Sequence, residues 1–123
     1  MSTVLIVDDN PSHLKLYAWI LERGGFHCLP VLVQNQMVAI PGEERFDLAL
    51  LDYRLGNGVS AAETAQQLKA LHPSLPIVIL SDMLWMPEDV APYAVAFVRK
   101  GEPEQLLETI SSAISADGTA RRR

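Results

Sequence analysis

Four apolar runs in this chain each end on a charged or hydroxyl residue. They are Val4-Leu5-Ile6-Val7 before Asp8-Asp9, Leu48-Ala49-Leu50-Leu51 before Asp52, Ile77-Val78-Ile79-Leu80 before Ser81, and Val95-Ala96-Phe97-Val98 before Arg99-Lys100. Continuous apolar runs of this length read as strands buried on both faces, the habit of a parallel sheet under helices. Helical signals lie between them. Asn10-Pro11-Ser12 opens a first helix, with Asn or Ser able to cap it and Pro tolerated in the first turn. Leu14, Tyr17, Ala18 and Leu21 fall on one helical face, and Gly24-Gly25 stops it. Phe26 to Val33 reads as a second strand, with Pro30 placing it at an edge or bulge. Gln34 to Ile40 has room for about two helical turns before Pro41-Gly42.

Ser60 is placed to cap a further helix whose Ala61, Ala65, Leu68 and Leu71 share a face, closed by His72-Pro73. Pro103 and Glu104 start the last helix, which turns Leu106, Ile110, Ala113 and Ile114 inward. Alternating strands and helices at this spacing predict an α/β domain with right-handed crossovers and a doubly wound sheet. The domain is expected over residues 1–116, with 117–123 a flexible tail. Met83 to Tyr93 carries Pro87 and Pro92, so no helix longer than about one turn is expected between the fourth and fifth strands.

Composition narrows the function classes. A chain of 123 residues that is 49% hydrophobic can bury a core without staples. The single cysteine, Cys28, excludes an internal disulfide, suits a reducing cytoplasm and reads as a half-buried apolar side chain. No signal peptide is visible, and no apolar run approaches the ~20 residues of a membrane helix. A net charge of −5 argues against a nucleic-acid surface, and the one basic run, Arg121-Arg122-Arg123, reads as a solvated end.

Ligands of open parallel sheets sit beyond the carboxyl ends of the strands. Asp8, Asp9, Asp52, Ser81 and Lys100 therefore converge on one edge. Three carboxylates so close repel one another unless a cation relieves them, and oxygen donors of this kind suit Mg²⁺.

These residues carry a resemblance. Asp8-Asp9, Asp52, Ser81, Phe97 and Lys100 stand in the order and near the spacing of a response-regulator receiver domain of two-component signalling, and the resemblance runs from Val4 to about Ile114. It implies a flavodoxin-like five-stranded sheet of order 2-1-3-4-5. Asp52 would take a phosphoryl group from the phosphohistidine of a sensor kinase or phosphotransfer protein. Asp9 and Asp52 would ligate Mg²⁺ directly with the backbone carbonyl of Arg54, and Asp8 would act through a bound water. Lys100 would neutralise the phosphoryl oxygens, Ser81 would hydrogen-bond the new phosphate, and Phe97 would follow it as the switch aromatic. A downstream protein would read the state.

Several positions depart from the family. Gly101 stands where a proline, often cis, is usual; a trans peptide is expected here, with glycine absorbing the altered path. Gly56 also replaces a common proline, and Ser60 a common glycine. Asp82 stands where a small residue is usual. A carboxylate ~6 Å from a phosphoryl group at an effective dielectric of ~20 costs on the order of 3 kcal/mol. The expectation is that Asp82 instead caps the following turn. Arg54 either reaches over the site or is a solvated loop residue. Met83-Leu84-Trp85-Met86 carries more apolar surface than a short connection buries. Trp85 is either an output surface, for a partner or a second copy in a homodimer, or tucked against the sheet. Two alternatives stay open beside the receiver: a binding module with impaired phosphorylation, and a haloacid-dehalogenase-type phosphohydrolase, against which Arg54 occupies the place of that family's second acid.

Overall fold

In the computed structural model, which describes residues 2–35, 38–41, 45–56 and 58–121 and the side chains as far as Ser115, strands β1 (Thr3–Asp8), β2 (His27–Leu32), β3 (Leu48–Asp52), β4 (Ile77–Ser81) and β5 (Ala96–Arg99) form one sheet. All pairs are parallel and the order is β2-β1-β3-β4-β5, which is the expected flavodoxin-like arrangement. Among the described residues three helices flank it: α1 (Pro11–Arg23), α2 (Ala61–Leu71) and α3 (Pro103–Arg121).

The apolar runs are continuous because both faces of the sheet are covered. Val4, Ile6, Leu48, Leu50, Val78, Leu80 and Val98 pack with Leu14, Tyr17 and Leu21 of α1 and Leu106 and Ile110 of α3. Leu5, Val7, Ala49, Leu51, Ile77 and Ile79 point the other way, onto Ala61, Ala65 and Leu68 of α2 and onto Val90. Each strand thus sends alternate residues to opposite cores, as the pleat requires.

Local signals set the helix ends. Asn10 caps α1, its side chain accepting from the amides of Ser12 and His13, with Pro11 in the first turn. Gly24 ends the helix where a Cβ would lie 2.5 Å from Leu107 Cδ2, so α1 and α3 approach closely there. Ser60 caps α2 by accepting from Glu63, and His72 closes it. Cys28 is half-buried, its thiol pushed up to about 11 by burial and by Glu22 nearby.

Three segments differ from the sequence expectation or sharpen it. The described residues of 34–40 form no helix; Val38 and Ile40 instead pack as single side chains against the α2-side core, and Gln36 and Met37 lie outside the described residues. Two turns without a cap cannot recover the cost of helix nucleation. The backbone of α3 continues to Arg121, past Ala116, because no proline interrupts it; Arg122 and Arg123 of the basic run lie outside the described residues. The fourth helix is degenerate as expected. Residues 83–93 form only turns, with Val90 and Ala91 amides donating to Pro87 O and the Tyr93 amide to Val90 O. Among the described residues no helix is long and apolar enough to cross a membrane.

Candidate functional site

The site is built at the carboxyl edge of the sheet by strand register. Val7 is paired with Leu51, so the next residues, Asp8 and Asp52, end neighbouring strands at the same height. Parallel strands lie ~4.8 Å apart, which forces the two carboxylates together. Both continue the alternation toward α1 and are almost wholly buried, Asp8 at 1% and Asp52 at 3% exposure.

Asp52 is compensated. Its Oδ1 accepts from the Arg54 amide at 3.1 Å, and Lys100 Nζ lies 3.2 Å from Oδ1 and 3.3 Å from Oδ2. Lys100 stands past the end of β5, and its long side chain crosses the end of β4 to reach β3; its amide donates to Ser81 O at 2.8 Å, fixing the start of that path. Gly101 follows at φ +88°, and no peptide bond among the described residues is cis, so glycine does absorb the altered path.

Asp8 is not compensated in the same way. Oδ1 accepts from the Asn10 amide at 3.0 Å, but Oδ2 is buried without a hydrogen-bond partner. Burial first, then the charge of Asp52, push its carboxyl up to about 7. A buried oxygen without a partner beside a second carboxylate is what a divalent cation relieves. The donor set therefore fits Mg²⁺, with Asp8 and Asp52 supplying hard oxygen ligands.

The structure gathers ligand atoms of Asp8, His13 and Asp52 within 4.8 Å of one another. Asp9, expected as a direct ligand, is half-buried and lies outside this group; its Oδ2 is only 2.5 Å from where a Cβ on Gly56 would stand. Gly56 has φ +64°, which a proline ring forbids and an L side chain adopts only with strain. The loop after Asp52 thus takes glycine because it turns left-handed against Asp9.

His13 was not a sequence candidate. It sits in the first turn of α1, directly above the acids, with Nδ1 3.5 Å from Asp8 Oδ2 and its ring edge-on to Tyr17. The signal that could have found it is a histidine five residues after a strand-end acid, on the first turn of a capped helix.

Ser81 is buried, and its Oγ accepts from the Met83 amide at 3.1 Å. This corrects the expectation for Asp82: the hydroxyl, not the carboxylate, holds the turn. Asp82 points outward to Arg54, Oδ1 to Nε 3.6 Å, both side chains well exposed. Phe97 is half-buried in the α2-side core and is paired with Ile79, two residues before Ser81 on the same face of β4. Trp85 at 68% and Leu84 at 67% are exposed rather than tucked against the sheet; Met86 and Val90 do that packing instead.

Comparison with known proteins places these features in a family. The family model described as the response regulator receiver domain matches residues 4–111. The chain is 37% identical over 81 residues to the phosphate regulon transcriptional regulatory protein PhoB of Pseudomonas aeruginosa, covering 64% of this chain and 35% of that protein. It is 31% identical over 78 residues to the transcriptional regulatory protein ZraR of Salmonella typhimurium, covering 63% of this chain and 18% of that one. The chain thus spans well under half the length of these relatives. A CheY-like receiver domain protein from Methanospirillum hungatei superposes with TM-score 0.78 at 22% identity, covering 98% of each chain. The response regulator TrrA of Thermotoga maritima, solved with Mg²⁺ and BeF, gives 0.74 at 22% identity, over 92% of this chain and 99% of that one. At these identities the structural likeness establishes the fold.

Proposed function

Because the chain belongs to the response regulator receiver domain family, a signalling domain of two-component systems, we propose that it is a phosphoryl acceptor with Asp52 as the nucleophile. The observation that carries this is the buried Asp52 carboxylate held by Lys100 at 3.2 Å beside a second buried acid. An Asp52 oxygen attacks the phosphorus of a kinase or phosphotransfer-protein phosphohistidine. The new O–P bond forms as the P–N bond breaks, and the nitrogen leaves with its electron pair, to be protonated from solvent. Asp8, Asp9, Asp52 and the carbonyl of Arg54 are the oxygens that would hold Mg²⁺, with which TrrA was solved. When bound, the ion neutralises charge on the phosphoryl oxygens.

Lys100 contributes a fixed cation whose side chain is three-quarters buried, so the charge needs little reorganisation as the transferring group gains charge. Ser81 Oγ leaves the Met83 amide and donates to the aspartyl phosphate. Phe97, on the same face one pleat back, moves into the space this opens. The exchange of one hydrogen bond for another couples the site to residues 83–86, where Leu84 and Trp85 face outward. That segment is the surface read by the downstream protein. The exposed Arg54–Asp82 pair keeps the Asp82 carboxylate off the site, which supports phosphorylation over the binding-module alternative.

The test is incubation with Mg²⁺ and acetyl phosphate, followed by intact mass. One phosphoryl increment is expected in the wild type and none in Asp52→Asn. A persistent single phosphate in that variant refutes the assignment.

A further inference from the structure

The unexpected member of the site is His13. Two atoms in this region are buried and lack a hydrogen-bond partner among the described residues, Asp8 Oδ2 and His13 Nδ1, and they face each other at 3.5 Å. They approach without bonding. That separation has a natural explanation in a shared third body. Two donors bound to one cation at ~2.1 Å, at angles between square and tetrahedral, stand roughly 3.0–3.4 Å apart. Asp52 completes the set, with ligand atoms of all three residues within 4.8 Å of one another. The first turn of α1 fixes where the residue stands. The His13 amide donates to the Asn10 cap, and the imidazole packs edge-on to Tyr17 at 6.3 Å between centroids.

We propose that His13 Nδ1 is a metal ligand and that, with Asp8 and Asp52, it gives this domain a preference for borderline first-row ions such as Co²⁺ or Zn²⁺ over Mg²⁺. Mg²⁺ is a hard ion that prefers oxygen and retains its water, whereas imidazole nitrogen suits Zn²⁺ and the transition ions. A site with carboxylates alone follows the general affinity order of these ions. An added imidazole widens the gap between Co²⁺ and Mg²⁺ specifically. The inference rests on the reading of Asp8 and Asp52 as cation ligands. It adds which ion they hold.

Thermal unfolding is followed while the wild type, His13→Leu and His13→Gln are each titrated with MgCl₂, MnCl₂ and CoCl₂. The ratio of the Mg²⁺ to the Co²⁺ dissociation constant is expected to fall about tenfold or more in both variants. Spin-echo EPR of bound Mn²⁺ is expected to show nitrogen modulation in the wild type and none in the variants. His27 starts β2 and His72 caps the far end of α2, both at the opposite edge of the sheet, so neither can supply that nitrogen. Unchanged selectivity together with no nitrogen signal overturns the role of His13 while leaving the oxygen site standing. If no divalent ion shifts the wild-type melt, the cation site itself fails, and this inference with it.

Discussion

Replacing Asp8 by asparagine is expected to stabilise the metal-free domain, although it removes a charged residue from the functional site. Asp8 is 1% exposed, its Oδ2 has no hydrogen-bond partner, and its carboxyl is raised from 3.8 to about 7 by burial and by Asp52. For an acid whose folded pKa lies above its unfolded value, the folded state binds more protons in between. Stability therefore falls as pH rises from about 4 to about 7, and the penalty is fully present above pH 7. Three pKa units at ~1.36 kcal/mol each set a ceiling of about 4 kcal/mol. Asp52 shares the repulsion, so a gain of about 2–4 kcal/mol is expected for Asp8→Asn at pH 8 in EDTA. The asparagine keeps the acceptor for the Asn10 amide and turns the orphan oxygen into a donor toward Asp52. Urea unfolding by far-UV circular dichroism measures this, since Trp19 at 59% and Trp85 at 68% exposure are poor reporters of core unfolding. At pH 4 the gain should vanish, and Mg²⁺ at pH 8 should stabilise the wild type more than the variant. A variant no more stable than the wild type at pH 8, or a gain undiminished at pH 4, refutes the electrostatic account.

Lys100→Ala is expected to fold and to slow phosphorylation from acetyl phosphate by about 10²-fold, the scale for losing one preorganised charge partner; a rate within twofold of wild type would remove Lys100 from the reaction. Gly56→Ala is expected to cost about 1–2 kcal/mol in urea unfolding, from the positive φ and the encounter with Asp9, and to weaken Mg²⁺ binding by displacing that carboxylate. A neutral Gly56→Ala would mean that the loop relaxes freely. Trp85→Ala is expected to change stability by less than about 0.5 kcal/mol, as an exposed side chain does, while weakening partner binding or self-association; a badly destabilised variant that still binds normally would return Trp85 to the core.

The strands, their parallel arrangement and the two capped helices before and after β3 were set by local sequence. Apolar runs without alternation require cover on both faces, and Asn10, Gly24 and Ser60 mark helix ends through the orphan amides and carbonyls of a single turn. The convergence of Asp8, Asp52, Ser81 and Lys100 was legible for the same reason, since the first three end strands, Lys100 directly follows one, and parallel strands end together. Choices between near neighbours were not legible. Which of Ser81 and Asp82 holds the turn, which of Asp8 and Asp9 faces Asp52, and whether Trp85 tucks or projects all depend on side-chain direction after the chain leaves regular structure. His13 joins the site only because α1 folds back over the edge of the sheet. Periodicity and capping act over a few residues and are written in the chain. Contacts between segments far apart in sequence are decided by register, burial and the packing of two cores, which only the tertiary structure fixes.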